Sequence, residues 1–171
     1  EVIPMKKLLP CAICGERHDE LPTEYETLGP VYYEQMSEKE QETKSEMHNT
    51  WCVLELDGPH YFVKGILELP IAGQDEPFWW ITWVSLSPDN FARFIEMKRP
   101  RIEEPMFGWF SSDLPAYPDT VNLKVMVHDE GTGQLPFFEL EPTDHPLSIE
   151  FYSEMTLAQV HAIADIVYAQ E

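Results

Sequence analysis

Apolar and polar positions fall along this chain in patterns that mark out most of its elements. Residues 78–86, Phe-Trp-Trp-Ile-Thr-Trp-Val-Ser-Leu, are aromatic and β-branched, the composition of a largely buried strand. Ser87 as N-cap, Pro88 at the first helical position and Asp89 in the first turn then open a helix in which Phe91, Phe94, Ile95 and Lys98 recur at helical spacing. Upstream, residues 51–56 and 60–69 read as strands joined by the turn chemistry of Asp57, Gly58 and Pro59. Three successive strands with short turns imply an antiparallel meander.

Downstream, Val121, Leu123, Val125 and Val127 alternate within a strand over residues 120–128, and residues 137–140 and 147–151 read as two more. Ser37 followed by Glu40 is a capping box that opens a polar, solvated helix towards Met47. Thr156 followed by Gln159 opens a final helix with Leu157, Val160, Ala164 and Val167 inward. Residues 21–30 read as an irregular connection, 31–33 as a short extended piece and 99–105 as a surface loop. The expected fold is a single α+β domain over residues 5–171, with residues 1–4 a cloning or start-site extension before Met5. It has a mainly antiparallel sheet of about six strands, roughly two or three helices and an N-terminal Cys-x-x-Cys knuckle.

Composition narrows the classes open to such a fold. The 171 residues are 43% apolar and 12% aromatic, which suits a packed domain rather than a disordered chain. Thirty-one acidic residues against eleven basic ones leave a formal charge of −20, which repels nucleic acid and anionic membranes. The charge serves solubility, or it forms an acidic face for a basic partner, as an immunity or antitoxin protein would need against a nucleic-acid-binding toxin. Charges or prolines interrupt every apolar run before it reaches the ~20 residues of a membrane helix. The apolar part of residues 5–10 is too short for a secretory signal. Three cysteines, an odd number, fit a reducing compartment, so the cytoplasm is expected.

Candidate chemistry is sparse. Cys11-Ala12-Ile13-Cys14-Gly15 is a turn in which two thiolates can face one cation, the glycine letting the chain reverse. Tetrahedral zinc needs four donors, and Cys52 with His18, or His60 as the alternative fourth ligand, could complete a structural site. Free thiols in a tight turn, or a redox pair, are the other readings. Phe107, Trp109 and Phe110 surround Gly108 before a Pro-rich stretch, and either line a pocket or cover a sheet edge. Asp144 beside His145, between Pro142 and Pro146, is a rigid turn or an acid–base pair. Asp75-Glu76 and Asp129-Glu130 lack the spacing of a calcium loop, and no nucleophile elbow, P-loop, dinucleotide fingerprint or His-Glu-x-x-His is present.

Several of these segments together resemble the bacterial domain of unknown function 2199 family over nearly the whole chain. They are Cys11-x-x-Cys14-Gly15 with His18; Leu21-Pro22; Tyr32-Tyr33; and Cys52-Val53 before His60-Tyr61-Phe62-Val63-Lys64-Gly65. Further on stand Trp80-x-x-Trp83-Val84-Ser85-Leu86-Ser87, Asn90-Phe91, Phe107-Gly108-Trp109, Leu114-Pro115-x-Tyr117-Pro118-x-Thr120, and the run from Glu139 to Leu147. Ile81 departs from the pattern, which looks like glycine there. The resemblance implies one domain and no named activity.

Two functions are therefore weighed. One is a non-enzymatic interaction protein with a structural zinc and an acidic face for a basic partner. The other is an enzyme or small-ligand protein with a site between residues 107–109 and the 141–146 loop, where Trp109, Asp144 and His145 are the binding candidates.

Overall fold

The computed structural model describes residues 2–10 and 17–169, with side chains described for Val2, Ile3 and residues 21–169. In chain order the elements are β1 (Val2–Pro10), β2 (Arg17–Thr27), α1 (Val31–Glu34), α2 (Glu38–Lys44), β3 (Ser45–Met47), β4 (Trp51–Glu55) and β5 (Pro59–Leu69). Then come β6 (Phe78–Leu86), α3 (Pro88–Ile95), β7 (Met106–Phe110), β8 (Lys124–His128), β9 (Phe137–Leu140), α4 (Pro146–Tyr152) and α5 (Leu157–Ala169).

Strand β6 is the hub. One edge pairs with β5 from Leu86 opposite Tyr61 to Phe78 opposite Leu69. The other edge is shared: Trp79–Ile81 take β2 in parallel, and Val84–Leu86 take β7 antiparallel. Strands β7, β8 and β9 continue as an antiparallel meander, and β9 meets β5 in parallel at Ile66 and Phe137. Strands β5 to β9 thus close into a five-stranded barrel, with β4 and β3 extending from β5, and β2 and β1 from β6.

Alternation fills the barrel. Val63, Leu67, Trp80, Val84, Phe110, Val125, Val127, Phe138 and Leu140 are buried in one continuous core. Closure depends on Gly65, because a Cβ there would lie 2.4 Å from the Phe138 ring and 2.8 Å from the Pro136 carbonyl oxygen. A second cluster forms on the outer wall, where Cys52, Leu54, Phe62 and Trp83 are buried beneath Tyr32, Tyr33 and Met36 around α1. Helix α3 lays Phe91 on Tyr61, with ring centroids 4.9 Å apart, and α5 packs on β2 through Val160, Ile163, Ala164 and Val167.

The expected α+β class, the meander, and the caps at Ser37, Ser87 and Thr156 are all present. The described sheet has nine strands rather than about six, with five helices rather than two or three. Residues 147–151 are helix, not strand: Pro146 occupies the first turn and the His145 ring caps it. Residues 31–33 are helical too, with the Glu34 amide donating to the Pro30 carbonyl. Residues 21–27 belong to β2, which tolerates Pro22 because that residue sits at register shifts against β1 and before the pairing with β6 begins at Glu24. The polar helix stops at Lys44, where Ser45–Met47 turn into an edge strand, and α3 stops at Ile95, leaving Lys98 beyond it at φ +60°. Strand β8 begins only at Lys124, after Asn122 at φ +70°. The Cys-x-x-Cys knuckle lies outside the described residues.

Candidate functional site

The outer wall formed by β8 and β9 carries two adjoining cavities. Register sets their lining: Met126 stands opposite Glu139, and His128 opposite Phe137. Glu139 lines both cavities.

The larger, about 700 Å³, lies between β5, β9, α4 and the loop after β5. Pro70 ends β5, and the loop is pinned by the Met155 amide donating to the Pro70 carbonyl and the Ala72 amide donating to the Met155 carbonyl. Gly73 then turns the chain at φ +73°. Glu68, Asp75, Glu76 and Glu139 face this groove alongside His128, Phe137 and Phe151, and among the described lining residues there is no lysine or arginine. Glu68 is fixed by the Trp79 indole N–H at 2.8 Å, and His128 Nε2 lies 2.7 Å from Glu139 Oε1. Glu76 has an interaction of its own.

The smaller cavity, about 240 Å³, is apolar, with Phe107, Val125, Met126, Leu140, Pro142 and Tyr152 around it and Lys124, Glu139 and Glu141 at the polar positions. A third, about 590 Å³, lies on the far side of β7 between Tyr32, Leu56, His60, Phe62, Ser85, Trp109 and Asn122.

The candidates named from sequence are dispersed among these places. Trp109 is 41% exposed on β7, its ring 5.1 Å from that of Phe107, and lines the third cavity. Asp144 is exposed in the turn before α4. His145 caps α4: its Nδ1 accepts from the Leu147 amide at 3.1 Å, which leaves Nε2–H to donate to the carbonyls of Asp119 at 3.0 Å and Pro118 at 3.3 Å. Both ring nitrogens therefore serve backbone groups. Thr143 and Ser148 complete the turn, Thr143 Oγ1 accepting from the His145 amide and Ser148 Oγ donating to the Glu141 carbonyl. Phe107, Glu141 and Pro142 do meet at one cavity, without Trp109, Asp144 or His145.

Of the proposed zinc donors, Cys52 is fully buried against Leu54, Phe62 and Trp83, and burial pushes its thiol up to about 12. Its described neighbours are apolar, and no group of three His, Cys, Asp or Glu able to hold a metal occurs among the described residues, which leave out Cys11, Cys14 and the side chain of His18. His60 is exposed, with Nε2 3.1 Å from the Leu56 carbonyl. Cys11, Cys14 and the side chain of His18 lie outside the description.

Asp129 is no metal carboxylate. Arg99 grips it through two bonds of 2.6 and 2.9 Å, the Ile102 amide donates to it at 2.8 Å, and both side chains are nearly inaccessible. Burial pushes the Asp129 carboxyl up, but the bonds from Arg99, Ile102 and Gly131 outweigh it and hold the group below its ordinary range.

Sequence reading missed Glu68, His128, Phe137, Glu139 and Phe151. The outward, polar members of the alternating strands carried the only local signal, and nothing local tells which outward faces adjoin.

Residues 10–155 match the profile of a family described as an uncharacterized protein conserved in bacteria (DUF2199). The chain belongs to that family. Neither a curated protein nor a solved structure matches it significantly.

Proposed function

We propose that this family member is a non-enzymatic cytoplasmic interaction protein whose acidic groove receives a basic segment of a partner protein, in the manner of an immunity or antitoxin protein. The observation that carries the reading is the groove itself: Glu68, Asp75 and Glu139 beside the rings of Phe137 and Phe151, with His128 the one cationic type in the described lining. Carboxylates attract an ammonium or guanidinium group, and aromatic faces add a cation–π component. The charge of −20 steers such a partner to the surface.

Fluorescence anisotropy with a labelled arginine-rich peptide tests this. Binding should weaken with salt and fall at least about fivefold in Glu68→Gln/Asp75→Asn, but not in Glu38→Gln/Glu42→Gln on α2. Equal losses in both variants would assign binding to the general field and reject the groove.

A small ligand or substrate between residues 107–109 and the 141–146 loop is the second reading, favoured by the 240 Å³ cavity found beside Phe107 and Pro142. Its mostly apolar wall suits packing better than proton transfer. A structural zinc stays in the proposal through Cys11, Cys14 and Cys52, with His18 or His60 as the fourth donor. Protein purified without added metal should hold stoichiometric zinc and show no fast-reacting thiol; two fast thiols and no zinc would remove it.

A further inference from the structure

The two adjoining cavities differ in chemistry and share one wall, Glu139. Both are open to solvent; one is acidic and about 700 Å³, the other mostly apolar and about 240 Å³. A cavity of roughly 150 Å³ lined by apolar side chains takes up a benzene ring, so the smaller one has room for a single leucine or phenylalanine side chain and little more. It is too small for most drug-sized ligands, whose sites run from roughly 300 Å³ upwards.

Their placement sets a spacing. Met126 faces the apolar cavity and His128, two residues on along β8, faces the groove; on β9, Glu139 and Phe137 repeat the same step. Two residues of strand span about 7 Å, which is also the separation of same-side side chains in an extended ligand.

We propose that the basic partner binds as an extended segment in which an apolar side chain fills the pocket between Phe107, Met126 and Tyr152 while a lysine or arginine two residues away enters the groove at Glu68 and Glu139. This rests on the interaction reading above and adds to it a two-residue code. The occupant is fixed as a basic polypeptide by charge complementarity, since the groove lining carries carboxylates and no lysine or arginine among the described residues, and Glu139 and Glu141 outnumber Lys124 at the apolar pocket. Phe107 and Tyr152, 43% and 49% exposed, are two large apolar side chains that such a segment would cover.

The test compares three labelled peptides with the same arginine-rich half: one ending in glycines, one with leucine two residues from the last arginine, and one with leucine three residues from it. The i, i+2 peptide should bind about tenfold tighter than the other two, as burial of one such side chain provides. Met126→Trp, which fills the pocket, should abolish that advantage, the glycine and i, i+2 peptides then binding equally. Equal affinity of all three peptides for the unmodified protein would overturn the code while leaving the acidic groove standing. Failure of the arginine-rich half to bind at all would bring down both. The peptide comparison needs no variant, so poor folding of Met126→Trp does not spoil it.

Discussion

Asp129 and the groove carboxylates follow opposite rules although they are neighbours. His128 ends β8 facing the groove, and the next residue, Asp129, turns into the protein, where Arg99 meets it with two charge-assisted bonds. Arg99 also donates to the Phe94 carbonyl and lies 5.2 Å from the centre of the Phe94 ring, so one ion pair ties the segment after α3 to the end of β8. A buried carboxylate without a cation would cost several kcal/mol, so the chain brings one. Glu68, Asp75 and Glu139 stay in contact with water, where repulsion is screened and no such penalty forces a lysine or arginine into the lining. Charge compensated from within locks the fold. Charge held at the surface, where the partners of Glu68 and Glu139 are the Trp79 indole and His128 rather than a lysine or arginine, stays within reach of a partner.

Arg99→Ala attacks the locked side of this contrast most directly, and should lower unfolding free energy by about 3–5 kcal/mol in urea titrations. A loss under about 1 kcal/mol would mean that the pair does not lock the fold. Gly65→Ala breaks the frame that sets the two sites side by side; with its Cβ against the Phe138 ring, it should cost about 1–3 kcal/mol by the same assay. His145→Ala removes a helix cap worth about 1 kcal/mol, whereas Asp144→Ala should stay within about 0.5 kcal/mol. Comparable losses at the two positions would return Asp144 to consideration. Smallest is the groove: Glu68→Gln/Asp75→Asn should shift stability by about 0.5 kcal/mol or less, in either direction.

Acid separates the two sites further. The folded-state value of Asp129 lies below its unfolded one, so its contribution is present above about pH 3.9 and is lost as pH falls through the lower folded value. Glu150 acts in the opposite sense. Burial raises it beside the Tyr117 hydroxyl, which donates to it at 2.5 Å, so its contribution is full at low pH and fades as pH rises through the folded value. Asp129→Asn should flatten the acid limb of the stability curve, measured by urea midpoints down to about pH 3, and the groove variant should leave that limb in place.

Local chemistry was legible wherever the residues making a feature are close in sequence. The serine caps, the Asp57–Gly58 turn and the β4–β5–β6 meander are satisfied by neighbours, and reading them needed no tertiary information. Residues 147–151 misled because a five-residue apolar alternation suits either state, and the decision came from Pro146 and from a histidine ring acting as cap. Residues 106–110 showed as an aromatic cluster with no assigned state; pairing with β6 and β8 makes them a strand with Phe107 and Trp109 outward.

The sequence alone determined the acidic character, the α+β class, the helix starts and the hub at residues 78–86, because composition, capping and alternation act within a few residues of themselves. Tertiary structure decided that β9 returns to β5 and closes a barrel, that Asp129 is spent on Arg99, and that Asp75, foreseen only as half of an acidic pair, faces Glu68 and Glu139 across one groove. Those outcomes depend on strand register and on which surfaces closure brings together, and register between residues seventy apart leaves no mark in the local pattern.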